Sequence, residues 1–154
     1  VGTYSFKSSG KTRIDLATEA PQVTRLPIGL KTPLRLDDKN LFAMHYEVAD
    51  QVHDNLRNLL LTNWGERVGF YTFGANLREL TTELSSLDAF DEAAIERIRN
   101  AVSTWMPFVT LNDFVSEIDN QTNKKIGIIK IKITYNVPQL NIQNRSLQVS
   151  LYVI

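Results

Sequence analysis

The sequence contains no cysteine, which removes disulfides, thiolate metal sites and a cysteine nucleophile together. Histidine is nearly absent too: His45 and His53 are the only two. In one helix that spacing separates them by about 12 Å, too far to share a metal, and no HExxH motif is present, so each is expected to be structural or solvent-facing. Neither sign of charge dominates, with 17 basic and 17 acidic residues. Non-specific nucleic-acid binding needs a basic excess on one face, but Lys and Arg are dispersed here apart from Lys124-Lys125 and Lys130/Lys132. No apolar run approaches the ~20 residues of a membrane helix. Val1 to Ser5 show no basic segment leading into an apolar one, so no secretion signal is expected there; an opening Val is consistent with loss of an initiator Met. Nucleophile-elbow, Walker and G-x-G-x-x-G motifs are missing, as are internal repeats and low-complexity tracts.

What is present fits one domain. A chain of 154 residues buries roughly 70% of its unfolded surface on folding. Residues 1–40, punctuated by Gly2, Gly10, Pro21, Pro27, Gly29 and Pro33, read as an extended arm. Its apolar stretch Val23 to Leu36 suits a segment packed on this domain or on a neighbour. From His45 to about Thr62, Val48, Ala49, Val52, Leu56, Leu59 and Leu60 recur at helical spacing, and Gly65 is placed to stop the helix. A second helix is expected from Asn76, with Glu79 completing a capping-box-like pair. A third runs from about Asp91 to Met106, closed by Pro107. The period then switches to two. Phe108–Asp119 is a strand candidate, followed by a turn at Asn120–Asn123. Ile129, Ile131, Ile133 and Tyr135 alternate with polar residues. After Pro138 and a turn at Asn141–Asn144, Leu147, Val149, Leu151 and Val153 do the same. Such alternation implies a sheet with one buried and one wet face. The expected fold class is α+β: about three helices on one face of a three-stranded antiparallel C-terminal sheet, with the arm at 1–40 and the main domain at 41–154.

A search for chemistry finds bland readings. Glycosidases need two carboxylates roughly 5–10 Å apart, and Glu66, Glu79, Glu83, Asp88, Asp91 and Glu92 are the candidates. Glu79 is a cap partner, Asp91 and Glu92 suit a helix N-terminus, and Glu66 beside Arg67 reads as a structural or docking ion pair. The aromatic cluster Trp64, Phe70, Tyr71 and Phe73 lacks basic interleaving, so core or interface packing is expected rather than base stacking. Balanced charge is compatible with building into a dense assembly.

The block Leu59-Leu60-Leu61-Thr62-Asn63-Trp64-Gly65-Glu66-Arg67, followed by Phe73-Gly74-Ala75-Asn76-Leu77, resembles the small wedge protein of contractile-tail baseplates, the family of the T-even phage gene product 25. Relatives of that family serve in phage tails, contractile bacteriocins and type VI secretion systems. The likeness runs in order from about Leu41 to Ile154, and less of it lies in the arm. One departure stands out. Members commonly end the third helix with Glu-Pro-Arg, whereas here Trp105 is followed by Met106-Pro107-Phe108. The proline matches and both charges are replaced by apolar side chains, so docking there would rest on packing or move to another surface.

The resemblance implies a non-enzymatic virion structural protein of the tail baseplate, assembled in the host cytoplasm and present in multiple copies in a symmetric particle. It implies no cofactor, no metal and no catalytic residues. The implied partners are other baseplate wedge proteins and the tail sheath protein, with no nucleic acid or membrane. The partner-binding residues so implied are Gly65, Glu66, Arg67, Phe73, Gly74, Trp105, Pro107, Leu147, Val149, Leu151 and Val153. The last strand, Arg145–Ile154, would accept sheath strands at its edge; left bare it would be an aggregation hazard. The alternatives are a last strand that is internal or covered by residues 1–40, a peptidoglycan-cleaving lysozyme (muramidase) carried in the baseplate, and a scaffold unrelated to contractile tails. Arg67 is expected to make a charge-assisted contact that fixes the loop to Phe73-Gly74 or to a partner.

Overall fold

The computed structural model describes residues 25–37, 41–83, 87–119 and 127–153. The expected turn at Asn120–Asn123, Leu84, Ile154 and the first part of the arm lie outside them. Two short strands, β1 (Gly29–Leu30) and β2 (Met44–His45), pair antiparallel. Three helices follow, α1 (Val48–Leu61), α2 (Leu77–Glu83) and α3 (Leu87–Trp105), and then β3 (Thr110–Asp119), β4 (Gly127–Val137) and β5 (Ile142–Val153). The last three form one antiparallel sheet in the order β3-β4-β5. The fold is α+β, as its sequence pattern requires.

The sheet shows how alternation becomes a core. In the β4–β5 register Ile129 faces Leu151, Ile131 faces Val149 and Ile133 faces Leu147, and all six side chains are buried. Between them Lys130, Lys132 and Thr134 oppose Ser150, Gln148 and Ser146 on the other face. The buried face meets Leu56, Leu59 and Leu60 of α1, Leu77 and Leu80 of α2, and Ala94, Ile98 and Val102 of α3 in one cluster. Each large side chain fully buried in this way is worth about 1.5–3 kcal/mol before entropy is counted.

Helix ends differ from expectation in instructive ways. α1 begins at Val48, three residues after His45, because Met44-His45 pairs with Gly29-Leu30 and so brings part of the arm back onto its own chain. It stops at Thr62, whose hydroxyl donates to the Asn58 carbonyl at 2.6 Å, while Gly65 serves the next turn instead. The capping pair at α2 forms side chain to side chain: the Asn76 amide donates to Glu79, with Asn76 itself at φ +50°. β4 and β5 are joined by a 3-10 turn, Pro138–Leu140, with Asn141 and Asn144 both in the left-handed region. The turn therefore comes earlier than the asparagine pattern implied.

Both histidines prove structural. Nε2 of His45 lies 2.7 Å from Asp54 Oδ2, and the same oxygen accepts the Thr32 N–H at 2.9 Å, tying the β1–β2 ribbon to α1. His45 thus stands on a strand, not in the helix expected for it. His53 Nδ1 lies 2.9 Å from the hydroxyl of Tyr135, whose ring is fully buried. Arg145 on β5 donates to Asp50 at 2.6 Å.

This polar layer makes stability depend on pH in two stages. Burial, helped by the Arg145 charge, holds the His53 imidazole below its ordinary pKa. The unfolded chain takes up this proton near pH ~6.5 and the folded chain only lower, so the contribution is complete above that value and is lost as pH falls. Asp50 is held below the usual carboxylate range by the Arg145 hydrogen bond. At Asp54 burial pushes upward, but the Thr32 N–H and His45 outweigh it. Those two contributions are complete above about pH 4 and disappear below it. We expect the urea midpoint to decline between about pH 7.5 and 5.5, with a shallower slope in His53→Gln, and to drop again below about pH 4. A His53→Gln slope equal to wild type would show that His53 does not set the first stage.

Candidate functional site

The segment between α1 and α2 leaves the helix end and returns across it. Ala75 N–H donates to Leu59 O at 3.1 Å and Asn76 N–H to Thr62 O at 3.3 Å. That return passes so close to α1 that only glycine fits at its tightest point: a Cβ on Gly74 would lie 2.1 Å from the Thr62 carbonyl oxygen, and φ there is +114°. Gly65 and Gly69 turn the excursion at φ +80° each, and Gly65 N–H closes it on Tyr71 O at 2.8 Å.

Glu66 and Arg67 diverge although adjacent. The Glu66 carboxylate accepts the Asn63 N–H and its Nδ2, each at 2.8 Å, and these donors hold its pKa below the usual range. Arg67 lies with its guanidinium carbon 4.1 Å from the centre of the Phe73 ring, so the expected link to Phe73 is made through the ring face. Phe73 meets Trp105 edge-on at 5.1 Å, and Phe70 meets the same indole at 5.7 Å. The Trp64 indole donates to Gly74 O at 3.1 Å. Arg97 on α3 donates to Asn76 O and to Glu79 at 2.7 and 2.8 Å, and lies over the Trp64 ring at 5.5 Å.

Gly65, Glu66, Arg67, Phe73 and Gly74 are therefore brought together, against Trp105 and just beside the exposed Pro107. Met106 is buried and Phe108 packs on the core, so apolar contacts occupy the place of the absent charges. A groove of about 610 Å³ runs beside this cluster, walled by Asn58, Thr62, Arg67, Phe73 and Trp105. The loop tip keeps Trp64, Val68, Phe70 and Tyr71 exposed, an apolar patch of the kind that marks an interaction surface. Asn63 lies inside the block that carries the resemblance, without a role of its own there, and Arg97 carries no signal in the sequence. Arg97 lies 18 residues from the carboxylate it binds, a spacing that carries no local signal.

β5 is the second part of the site. Leu147, Val149 and Leu151 point into the core, at 2%, 3% and 8% exposure. Their side chains hold the strand in register, and what the strand can offer a partner is its outer main-chain edge, which pairs with no described strand. Val153 pairs with Gly127 at the end of β5. The two parts meet at a smaller groove of about 400 Å³, lined by Leu61, Asn63, Glu66, Arg78 and Tyr152 among others.

No family model and no curated protein matches the chain by sequence. Solved structures share its fold. A chain in the cryo-EM structure of the anti-feeding prophage (AFP) baseplate superposes with a TM-score of 0.58 at 21% identity, covering 70% of this chain and 82% of its own. A putative tail lysozyme from Geobacter sulfurreducens gives 0.52 at 17% identity, covering 69% and 89%. A chain of the baseplate complex from the type VI secretion system is more distant, at 0.45 and 18% identity over 70% and 94%. The chain thus shares its fold with a chain of the AFP baseplate and with the putative tail lysozyme, and the former is consistent with the resemblance carried by the Gly-Glu-Arg and Phe-Gly motifs.

Proposed function

We propose that this protein is a structural subunit of a contractile-tail baseplate wedge, which joins other wedge proteins and templates the first sheath ring by accepting strands at the outer edge of β5. The observation that carries this reading is the contrast between the two sheet edges. β3 is defended: it has a bulge between Leu111 and Asp113 and carries Asp113, Glu117 and Asp119, devices that discourage pairing. β5 has none of these from Ser146 to Val153, a run without charge, proline or glycine that stays in unbroken register with β4. A regular edge of that length, unpaired among the described residues, is suited to strand addition. The loop cluster around Trp105 and Phe73 then serves the other wedge proteins. The subunit acts in multiple copies in the tail baseplate after assembly in the host cytoplasm.

Lysine is the residue natural edges use against pairing. Ser146→Lys with Tyr152→Lys, on the wet face of the edge strand opposite Thr134 and Ile128 rather than opposite Lys132 and Lys130, is expected to leave the fold intact and to reduce recovery of co-expressed sheath protein at least tenfold, read by size exclusion. Undiminished co-assembly by this variant would remove the strand-acceptor role. The lysozyme reading raised by the Geobacter neighbour needs a carboxyl kept protonated in an apolar pocket. Glu66 is instead exposed and favoured as the anion, and Glu79 is bound by Arg97 and Asn76. Peptidoglycan turnover that disappears in Glu66→Gln would reverse this choice.

A further inference from the structure

A strand added beside β5 projects every second side chain onto the helix-facing side of the sheet, level with Leu147, Val149 and Leu151. On that side Leu147 and Val149 are themselves buried in the core. Near Leu151 it is open, because the 400 Å³ groove lies directly beside the strand and reaches down to Leu60 and Leu77. Those two leucines are 1% exposed each, but Leu61 at the groove wall is 41% exposed and Tyr152 at its lip 63%. Apolar surface is thus left half-covered at the point where an extra strand would cover it.

The rim carries one charge of each sign, Glu66 and Arg78. The oxygens of Glu66 are committed to Asn63. The side chain of Arg78 forms no hydrogen bond or ion pair among the described residues, and its described charge neighbour is that occupied carboxylate. An approaching anion would find unused donors on Arg78, and the Glu66 carboxylate is held back toward Asn63 by its two hydrogen bonds.

We infer that this groove is a register-setting subsite for the incoming strand, taking an aliphatic side chain at the position opposite Leu151, with a carboxylate at a flanking inward position for Arg78. The inference rests on the strand-acceptor reading and adds the chemistry of the strand it accepts. Antiparallel pairing is assigned, since both pairs of the sheet are antiparallel and such ladders are slightly more stable per residue. A one-residue slip would turn the aliphatic side chain to solvent, so one anchored position fixes the whole alignment.

The test needs no natural partner. An Asn-Gly turn and an eight-residue strand, appended after Ile154 of the full chain, fold back along β5 at high effective concentration. Leu, Ser or Lys is placed opposite Leu151, and Asp or Lys at the flanking inward positions. We expect Leu to raise the unfolding midpoint over Ser by roughly 3–6 °C, flanking Asp to exceed flanking Lys, and the Asp advantage to vanish in Arg78→Gln. Amide exchange of the added strand reads pairing separately. Protected amides with equal midpoints for Leu, Ser and Lys overturn the subsite while the strand-acceptor reading stands. Unprotected amides in every version overturn both.

Discussion

Gly74→Ala is expected to cost about 3 kcal/mol or more, the upper end of what a residue in a sparsely populated backbone region costs alone. Two penalties coincide at this position. φ of +114° is strained for any residue with a Cβ, and the added methyl would stand 2.1 Å from the Thr62 carbonyl oxygen and 2.8 Å from its carbon. Both are main-chain atoms at the end of α1 and cannot swing aside as a surface side chain would. Relief requires the loop to lift, which breaks Ala75 N–H to Leu59 O, Asn76 N–H to Thr62 O and the Trp64 indole bond to Gly74 O. Gly65→Ala is the internal control: φ is +80°, but nothing lies within 4 Å of the new methyl, so only a backbone penalty of about 1–2 kcal/mol applies. Urea unfolding followed by tryptophan fluorescence ranks the two. An equal loss in both variants would show that chain approach at Gly74 has been overvalued.

That comparison also explains what was legible in the sequence. Alternation in β4 and β5 has period two and needs only neighbouring residues, so the sheet, its buried face and its pairing could be read directly. The stripe of α3 is equally local. By contrast, the reason for Gly74 is a carbonyl 12 positions earlier, and a conspicuous Phe-Gly pair can signal that contact only through likeness to other proteins. Adjacent Glu66 and Arg67 invite an ion-pair reading, but the excursion turned by Gly65 and Gly69 sends one to Asn63 and the other to Phe73. His45 was assigned to a helix because a two-residue strand is too short to show alternation and its partner, Gly29, lies in the arm. The inward residues of β5 enter as contact residues only through the resemblance, since alternation identifies a face but not an edge; an edge without a strand partner among the described residues emerges only once the order β3-β4-β5 places β5 outermost.

Trp105→Ala is expected to cost about 2–3 kcal/mol, below the 3–5 typical of a fully buried aromatic because the indole is only partly buried. The loss comes from packing. Trp105 receives the edges of Phe70 and Phe73, contacts worth about 0.5–1.5 kcal/mol each beyond burial. Without it Phe70 and Phe73 lose their shared contact at the end of α3, so trypsin should cut after Arg67 much faster while the sheet stays folded. Trp105→Phe restores a ring and should recover part of the stability. Arg67→Ala removes an exposed cation–ring contact worth about 0.5–1 kcal/mol and should barely alter folding. The two variants therefore separate holding the loop from using it: under the proposed wedge role, Trp105→Ala is expected to weaken assembly by loosening the surface, and Arg67→Ala to weaken it with the surface intact. If Arg67→Ala assembled normally with wedge partners, Arg67 would have no docking role, and the exposed aromatics carried on Trp105 would be the contact.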